Sequence, residues 1–350
     1  MPQYQVFDAE DRIVETTKVT TGYFSDGGGT LEGADMVTAS LTASQEQYYV
    51  NVRNSASSTI DEFSVTYGNK SGNGSADVTG HTKAVYQYYA DLLLFPDEIE
   101  NTGFQFLSGS TEQNIWVVAG ERARLKDRWN RKNWTVALGG TNAPHTASGS
   151  FLHLTDDSFY TTATPTPVGP RYNVISGTLG TAKGGTATSG MYAAAHPYGY
   201  FYPNMGLVVL NGTALSASIP GGHITCGSIS TDTEMIGFGA DTTTTAKNHL
   251  KLFKALQSGS MTARSEEDQI TTSYFVRARA AHFNFSNNPK FYSGSDATFS
   301  IPEFTGNPQT FITTIGLHDA GGTMVAVGRL STPVLKNFSR EFTAKVNLVH

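Results

Sequence analysis

Three glycines, Gly72, Gly74 and Gly80, stand in a polar loop directly before the clearest helical pattern of the chain. The first turn of a helix presents free backbone amides, so a glycine-rich loop at this place could bind a phosphate. A P-loop, however, continues from its last glycine with lysine and then serine or threonine, whereas Gly80 is followed by His81 and Thr82. Loops of glycine, serine and asparagine are also common turn-forming connections. The pattern therefore favours a structural loop over a phosphate site.

Other residue types that could support catalysis or metal binding do not form a recognisable set. His153, Asp156 and Asp157 could be drawn as metal ligands, but adjacent aspartates in a loop are more often turn residues or a solvated pair. The nine histidines never have the spacing of a zinc-protease helix, and no Gly-x-Ser-x-Gly elbow is present. The single cysteine, Cys226, excludes an intrachain disulfide and is expected to be a small buried residue. The sequence thus predicts no enzyme, no cofactor and no metal site.

A run of basic residues with interleaved tryptophans follows a short apolar strand. Its members are Arg122, Arg124, Lys126, Arg128, Arg131 and Lys132, with Trp129 and Trp134. Such a run could bind nucleic acid through phosphate contacts and base stacking. It could instead be a solvated or subunit-facing segment, with salt bridges and buried tryptophans. Because the chain is acidic as a whole, with 24 Lys and Arg against 30 Asp and Glu, we favour the second interpretation and do not expect nucleic acid as a partner.

An aromatic cluster lies in the middle of the chain, where charges are rare. It consists of Tyr198, Tyr200, Phe201 and Tyr202, and only seven charged residues fall between positions 135 and 246. The cluster could be a sugar-binding platform, but packing in a core or against another subunit is the commoner use of such residues. We expect this region to pack against other subunits.

The elements that must position these residues are mostly short strands. Apolar residues have helical spacing at 81–95, where Pro96 is expected to stop the helix, and again at 247–258. A hairpin is predicted at 310–330, with its turn at 318–322. The predicted fold class is mainly β (α+β), with β-sandwich-like domains and one or two short amphipathic helices.

Three segments are predicted along the chain. Residues 1–140 form a β-rich domain that contains the helix near 81–95. Residues 141–265 form a low-charge Thr/Gly-rich β-domain or an insertion, and residues 266–350 form a C-terminal β segment that completes the first domain.

The composition predicts an assembled protein. Charged residues are 15% of the chain, against roughly 25% in typical soluble domains. A surface so poor in charge is expected to be covered by neighbours, in a homo-oligomer or as part of a symmetric assembly. We also expect no signal peptide and no membrane partner, because neither a leader pattern nor a long apolar run is visible.

Several blocks resemble virion structural proteins of contractile-tailed phages, notably those of marine cyanophages and related myophages. These blocks are 67–94 (YGNKSGNGSADVTGHTKAVYQYYADLLL), 122–134, 200–218 (YFYPNMGLVVLNGTALSAS), 274–289 (YFVRARAAHFNFSNNP) and 311–333 (FITTIGLHDAGGTMVAVGRLSTP). The last block is also similar to a hairpin of phage tail-fibre and baseplate proteins. The resemblance implies no catalytic residues.

The resulting hypothesis is a phage virion structural protein, a baseplate wedge or tail subunit that is assembled in the host cytoplasm and contacts other virion proteins. The alternatives are a receptor- or glycan-binding tail-fibre component and a neck or head protein. The candidate interface residues are Arg122, Arg124, Arg128, Trp129, Arg131, Trp134, Tyr200, Tyr202 and Leu317.

Overall fold

The computed structural model describes residues 4–38, 49–57, 59–72, 81–106, 110–139, 151–183, 198–212, 214–215, 248–293 and 298–349. The chain divides into two compact units. Unit 1 consists of Met1–Lys18 and Asp268–His350, and unit 2 is Val19–Glu267.

Most of the described elements are strands, which confirms the predicted mainly β class. The strands are β1 (Arg12–Gly22), β2 (Thr30–Glu32), β3 (Met36–Thr38), β4 (Tyr49–Asn54), β5 (Asp61–Asn69), β6 (Asn114–Gly120), β7 (Arg128–Trp129), β8 (Thr135–Gly139), β9 (Phe151–Asp156), β10 (Thr164–Thr166), β11 (Gly169–Thr178), β12 (Thr181–Ala182), β13 (Gly199–Tyr202), β14 (Leu207–Asn211), β15 (Ser260–Thr262), β16 (Arg264–Ala278), β17 (Thr310–His318), β18 (Met324–Lys336) and β19 (Phe342–Val349). The helices are α1 (His81–Leu93), α2 (Pro96–Asn101), α3 (Arg122–Leu125) and α4 (Asn248–Gln257).

Unit 2 is built on one antiparallel sheet. Its strand order is β2-β15-β8-β9-β11-β13-β14-β6-β5-β4-β3, and β10 and β12 pair with β11 beside this path. The strands at the two ends of the path, β2 and β3, are separated in the chain only by the turn Gly33–Asp35. The path therefore ends close to where it begins, and the sheet curls into a nearly closed barrel.

The middle strands of this sheet are buried on both faces. Successive side chains of a strand point to opposite faces. Accordingly, Trp116 and Val118 of β6 belong to a first core, and Ile115 and Val117 belong to a second core. Because both faces are covered, β14 is a continuous apolar run.

Helix α4 lies in the first core. It contacts β8 and β15 near one end of the strand path and β4 and β5 near the other. Leu252, Phe253 and Leu256 are buried there, and Trp116 Nε1 donates a 2.9 Å hydrogen bond to the backbone oxygen of Asn248. The helix predicted at 247–258 is thus present, and the sheet wraps around it.

Helix α1 covers the second core with Tyr86, Tyr89 and Leu93. It ends at Leu93, two residues before the predicted end. Pro96 is the first residue of α2, because proline is well tolerated at the first position of a helix, where its missing N–H has no intrahelical partner.

The strands of unit 1 lie in two sheets, one with β16 between β1 and β19 and one with β17 and β18. Strand β16 pairs with β19 from Thr271 to Ala278, and β17 pairs with β18 as a hairpin. The hairpin confirms the predicted one, although β18 continues beyond the predicted end to Lys336. The buried Lys336 Nζ donates hydrogen bonds of 2.9 Å to Ala280 O and Asn284 Oδ1, which tie the hairpin to the preceding loop.

The two units divide the chain at 18/19 and 267/268, whereas the sequence suggests boundaries near 140 and 265. Strands from both sides of residue 140 share one sheet, since β8 pairs with β9 and β6 pairs with β14.

Candidate interaction surface

The basic run is held within unit 2 by its own chain. Arg124 forms an ion pair with the fully buried Glu62, Arg128 forms one of 2.8 Å with Glu266, and Lys126 forms one of 2.9 Å with Glu267. The remaining contacts are a 3.1 Å hydrogen bond from Arg122 to Asn204 O, the Arg131 guanidinium 5.5 Å from the Tyr172 ring centre, and Lys132 Nζ 5.0 Å from the Phe159 ring centre. These partners match the salt-bridge interpretation of the run.

The two tryptophans of this run lie in the first core. Trp129 is 0% and Trp134 is 1% exposed. The Phe201 ring lies between them, with ring centres 6.2 Å from Trp129 and 4.9 Å from Trp134, and Tyr23 packs edge-on against Trp129. Both side chains are therefore core residues of unit 2, and they add no exposed surface to an interface.

Tyr200 and Tyr202 lie in the second core, on the opposite face of β13 from Phe201. The Tyr200 hydroxyl donates to Gln105 O, and the Arg171 guanidinium lies 4.1 Å from the centre of the Tyr200 ring. Burial raises the pKa of both phenols above the ordinary tyrosine value. The aromatic cluster is thus packed inside the chain, in the way the sequence favours over a sugar platform.

Asp156 and Asp157 are fully buried and accept hydrogen bonds from nearby backbone. Asp156 Oδ1 accepts from Lys132 N at 2.9 Å, and Asp157 Oδ1 accepts from Asn173 N at 3.0 Å. Both carboxylates therefore organise turns between strands, although they are buried where the sequence suggests a solvated pair. No group of three or more metal-ligating side chains is found among the described residues. Cys226 and the glycine loop at 73–80 lie outside them.

Unit 1 differs from unit 2 in how it exposes apolar side chains. Its large exposed apolar residues are Tyr4, Val6, Ile13, Val14, Ile270, Phe285, Ile301, Phe311, Met324, Val325, Val327, Phe338 and Val349. Its buried apolar residues, in the part of the chain that the structure describes, are Ala278, Phe291, Ile315 and Leu317. Unit 1 therefore exposes more large apolar side chains than it buries.

A broad groove of about 1450 Å³ runs through unit 1. Aromatic side chains, including Phe275, Phe283 and Phe311, contribute much of its lining. The Asp11–Arg277 ion pair, 2.8 Å long, also lines it. The groove and the exposed apolar residues together make unit 1 the candidate interaction surface.

Leu317 is the one candidate interface residue that lies in the β17–β18 hairpin, and its side chain is buried. The exposed valines of β18, Val325 and Val327, were available in the same resembling block. Alternation along the strand separates the two faces of the hairpin, but it does not tell which face the rest of unit 1 covers. Low charge predicts covered surface, but charge is scarcest between positions 135 and 246, which lie in unit 2.

No protein-family model, curated protein or solved structure matches the chain. Within the described ranges, no helix is long and apolar enough to cross a membrane.

Proposed function

We propose that this chain is a structural subunit of a contractile-tailed phage particle, located in the tail or baseplate, that acts through protein–protein interfaces. Its position as a baseplate wedge subunit is the finer part of this proposal. The resemblance of five blocks to virion proteins supports the particle. The exposed apolar side chains of unit 1 are the observation that supports the interfaces.

The magnitude of this exposure supports an interface. A large aromatic side chain carries roughly 150–250 Å² of surface, so thirteen large side chains about half exposed present on the order of 1,000 Å². At about 25 cal/mol per Å², covering this surface would contribute up to roughly 25 kcal/mol before the costs of association are subtracted. Burial of these side chains of unit 1 against another chain is therefore strongly favoured over leaving them in water.

The alternatives draw on residues that have other contacts in this chain. A glycan-binding function was motivated by the aromatic cluster, whose tyrosines at 200 and 202 are buried in the second core. A head or neck function was motivated by the basic run, whose side chains make intrachain contacts. No specific observation in the described residues favours either alternative over the tail or baseplate proposal.

Localisation on purified contractile-tailed particles whose genome carries this sequence tests the proposal. We expect the protein at a fixed copy number by quantitative mass spectrometry, and antibody-gold label at the tail end. Label at the head or neck would contradict the tail position and leave the virion role standing. Absence of the protein from purified particles would contradict the function as a whole.

A further inference from the structure

The hairpin of unit 1 has one covered face and one bare face. Ile315 and Leu317 are buried on the inner face. Val327 pairs across from Gly316, between these two positions, so it lies on the other face, where it is 62% exposed. Its neighbour along β18, Val325, is equally bare. We call the face with Val327 the outer hairpin face.

The hairpin also lacks further strand pairing. In the described residues, β17 and β18 form a sheet of two strands, so each has one edge without a neighbouring strand. Two-stranded sheets are marginally stable in water, and long apolar edges pair readily with other chains. We therefore expect a partner from outside the described residues to contact the hairpin.

The distribution of charge indicates what that partner is. Unit 1 carries nine acidic and nine basic residues, so its formal net charge is zero. Unit 2 carries 21 acidic and 15 basic residues, which is the whole net charge of −6. Two copies of unit 1 therefore meet without net repulsion, whereas the acidic surface of unit 2 would oppose self-association.

The small number of buried apolar residues in the described part of unit 1 points the same way. Interfaces that complete a core are typical of obligate assemblies, in which the partner must be present when the chain folds. Another copy of the same chain is always present at synthesis, and most soluble oligomers are closed assemblies of identical copies. The exposed apolar area of unit 1 as a whole, on the order of 1,000 Å², is comparable with the roughly 800 Å² per partner that a standard stable interface buries, and the outer hairpin face is one part of it.

We infer that a second copy of this chain covers the outer hairpin face, so that unit 1 completes its core only in a homo-oligomer. This inference rests on the proposed function, because it names the partner of the same interaction surface. The apolar contact centres on Val325 and Val327. A closed assembly of copies also removes the bare face that would otherwise promote aggregation.

The test measures the mass of the full chain by light scattering and analytical ultracentrifugation over a range of concentrations. We expect the wild type at two or more times the single-chain mass of 37.6 kDa. Val327→Glu should raise the dissociation constant roughly 100-fold or more, because each copy would bury an unpaired carboxylate. Val327→Thr keeps the branched β-carbon that strands prefer and should weaken association less than Val327→Glu.

Tyr88→Glu is the matched control, because Tyr88 in unit 2 is also 62% exposed. This variant should associate as the wild type does. Circular dichroism that shows less β-structure in single-chain Val327→Glu than in the associated protein would agree with folding coupled to association. A wild type that stays at 37.6 kDa at every concentration would overturn the inference, as would an unchanged dissociation constant in Val327→Glu.

The outcomes separate this inference from the proposed function. A single-chain protein that is nevertheless present in particles would leave the virion function intact and assign the outer hairpin face to a different virion protein. An oligomer that is absent from particles would preserve the inference and remove the function.

Discussion

At the scale of single residues, buried charges of unit 2 serve the fold. Glu62 is fully buried, accepts a 3.1 Å hydrogen bond from Ser25 N and pairs with Arg124. Arg124 also donates a 3.0 Å hydrogen bond to Asp61 O. A buried carboxylate without a partner is costly, so Glu62 requires the Arg124 guanidinium beside it.

We predict that Arg124→Met lowers the free energy of unfolding by about 3 kcal/mol or more, because Glu62 would remain buried and unpaired. Urea unfolding followed by tryptophan fluorescence measures this change. Lys126→Met is the matched control, since the Lys126–Glu267 pair is 35% exposed on both sides and should contribute less than about 1 kcal/mol. Equal effects of the two substitutions would contradict the buried ion pair.

A second residue-scale prediction concerns pH. Burial raises the pKa of Asp156 above the ordinary aspartate value, against the opposing effect of hydrogen bonds from Lys132 N and Ser158 N. The folded chain therefore holds this proton at a pH where the unfolded chain has released it. Its contribution to stability is complete below the unfolded pKa and is lost as pH rises through the folded pKa.

Unfolding free energies of the wild type and Asp156→Asn, measured in urea from acidic to neutral pH, test this sign. The wild type should lose stability relative to the variant as pH rises across that window, because the variant has no carboxyl group to ionise at this site. A difference between the two proteins that stays constant with pH would contradict it.

At the scale of elements, hydrogen bonds of Tyr86 connect α1 to the segment that follows α2. Its hydroxyl donates a 3.0 Å hydrogen bond to Glu112 O and accepts one of 3.0 Å from Phe104 N. Burial raises the pKa of Tyr86 to about 12, so the phenol remains a donor at neutral pH. The helical spacing of the sequence predicts the buried face of α1, but these two backbone partners are brought to Tyr86 only by folding.

Tyr86→Phe should lower the free energy of unfolding by about 2 kcal/mol or more, because two buried backbone groups lose their partner. Thermal and urea unfolding measure the change. Tyr88→Phe removes the same hydroxyl from the exposed side of α1 and should leave stability within about 0.5 kcal/mol of the wild type. Comparable losses in both variants would show that the hydroxyl contacts of Tyr86 are unimportant.

At the scale of the whole molecule, the two units differ in how they are stabilised. Unit 2 contains both cores, and its sheet is filled on both faces. Among the described residues, unit 1 contributes none to either core cluster, and it exposes more large apolar side chains than it buries. Unit 2 is therefore expected to fold by itself, and unit 1 is expected to depend on association.

The fragment 19–267 should accordingly unfold cooperatively and sediment as a single chain. Circular dichroism during heating and analytical ultracentrifugation check the two halves of this prediction. A fragment that forms the same oligomer as the full chain would locate the contacts in unit 2. A fragment that is unfolded would show that unit 2 needs unit 1.

The sequence alone determined the elements whose patterns are local. The helix at 81–95, the helix at 247–258 and the hairpin at 310–330 follow from the spacing of apolar residues and from turn residues, and all three are present in the structure. Burial of Trp129 and Trp134 is one of the two interpretations that the sequence leaves open. Scarce charge predicts that neighbouring subunits cover the surface, and that stays a prediction.

Tertiary structure decided where each strand lies and which of its faces is covered. Strand order joins residues far apart in the chain, as in the pairing of β6 with β14, and no local pattern encodes such partners. For the same reason Leu317 faces inward while Val327, ten residues later, faces outward. A strand's alternation defines two faces, but only its neighbours in the fold determine which face is left for another chain.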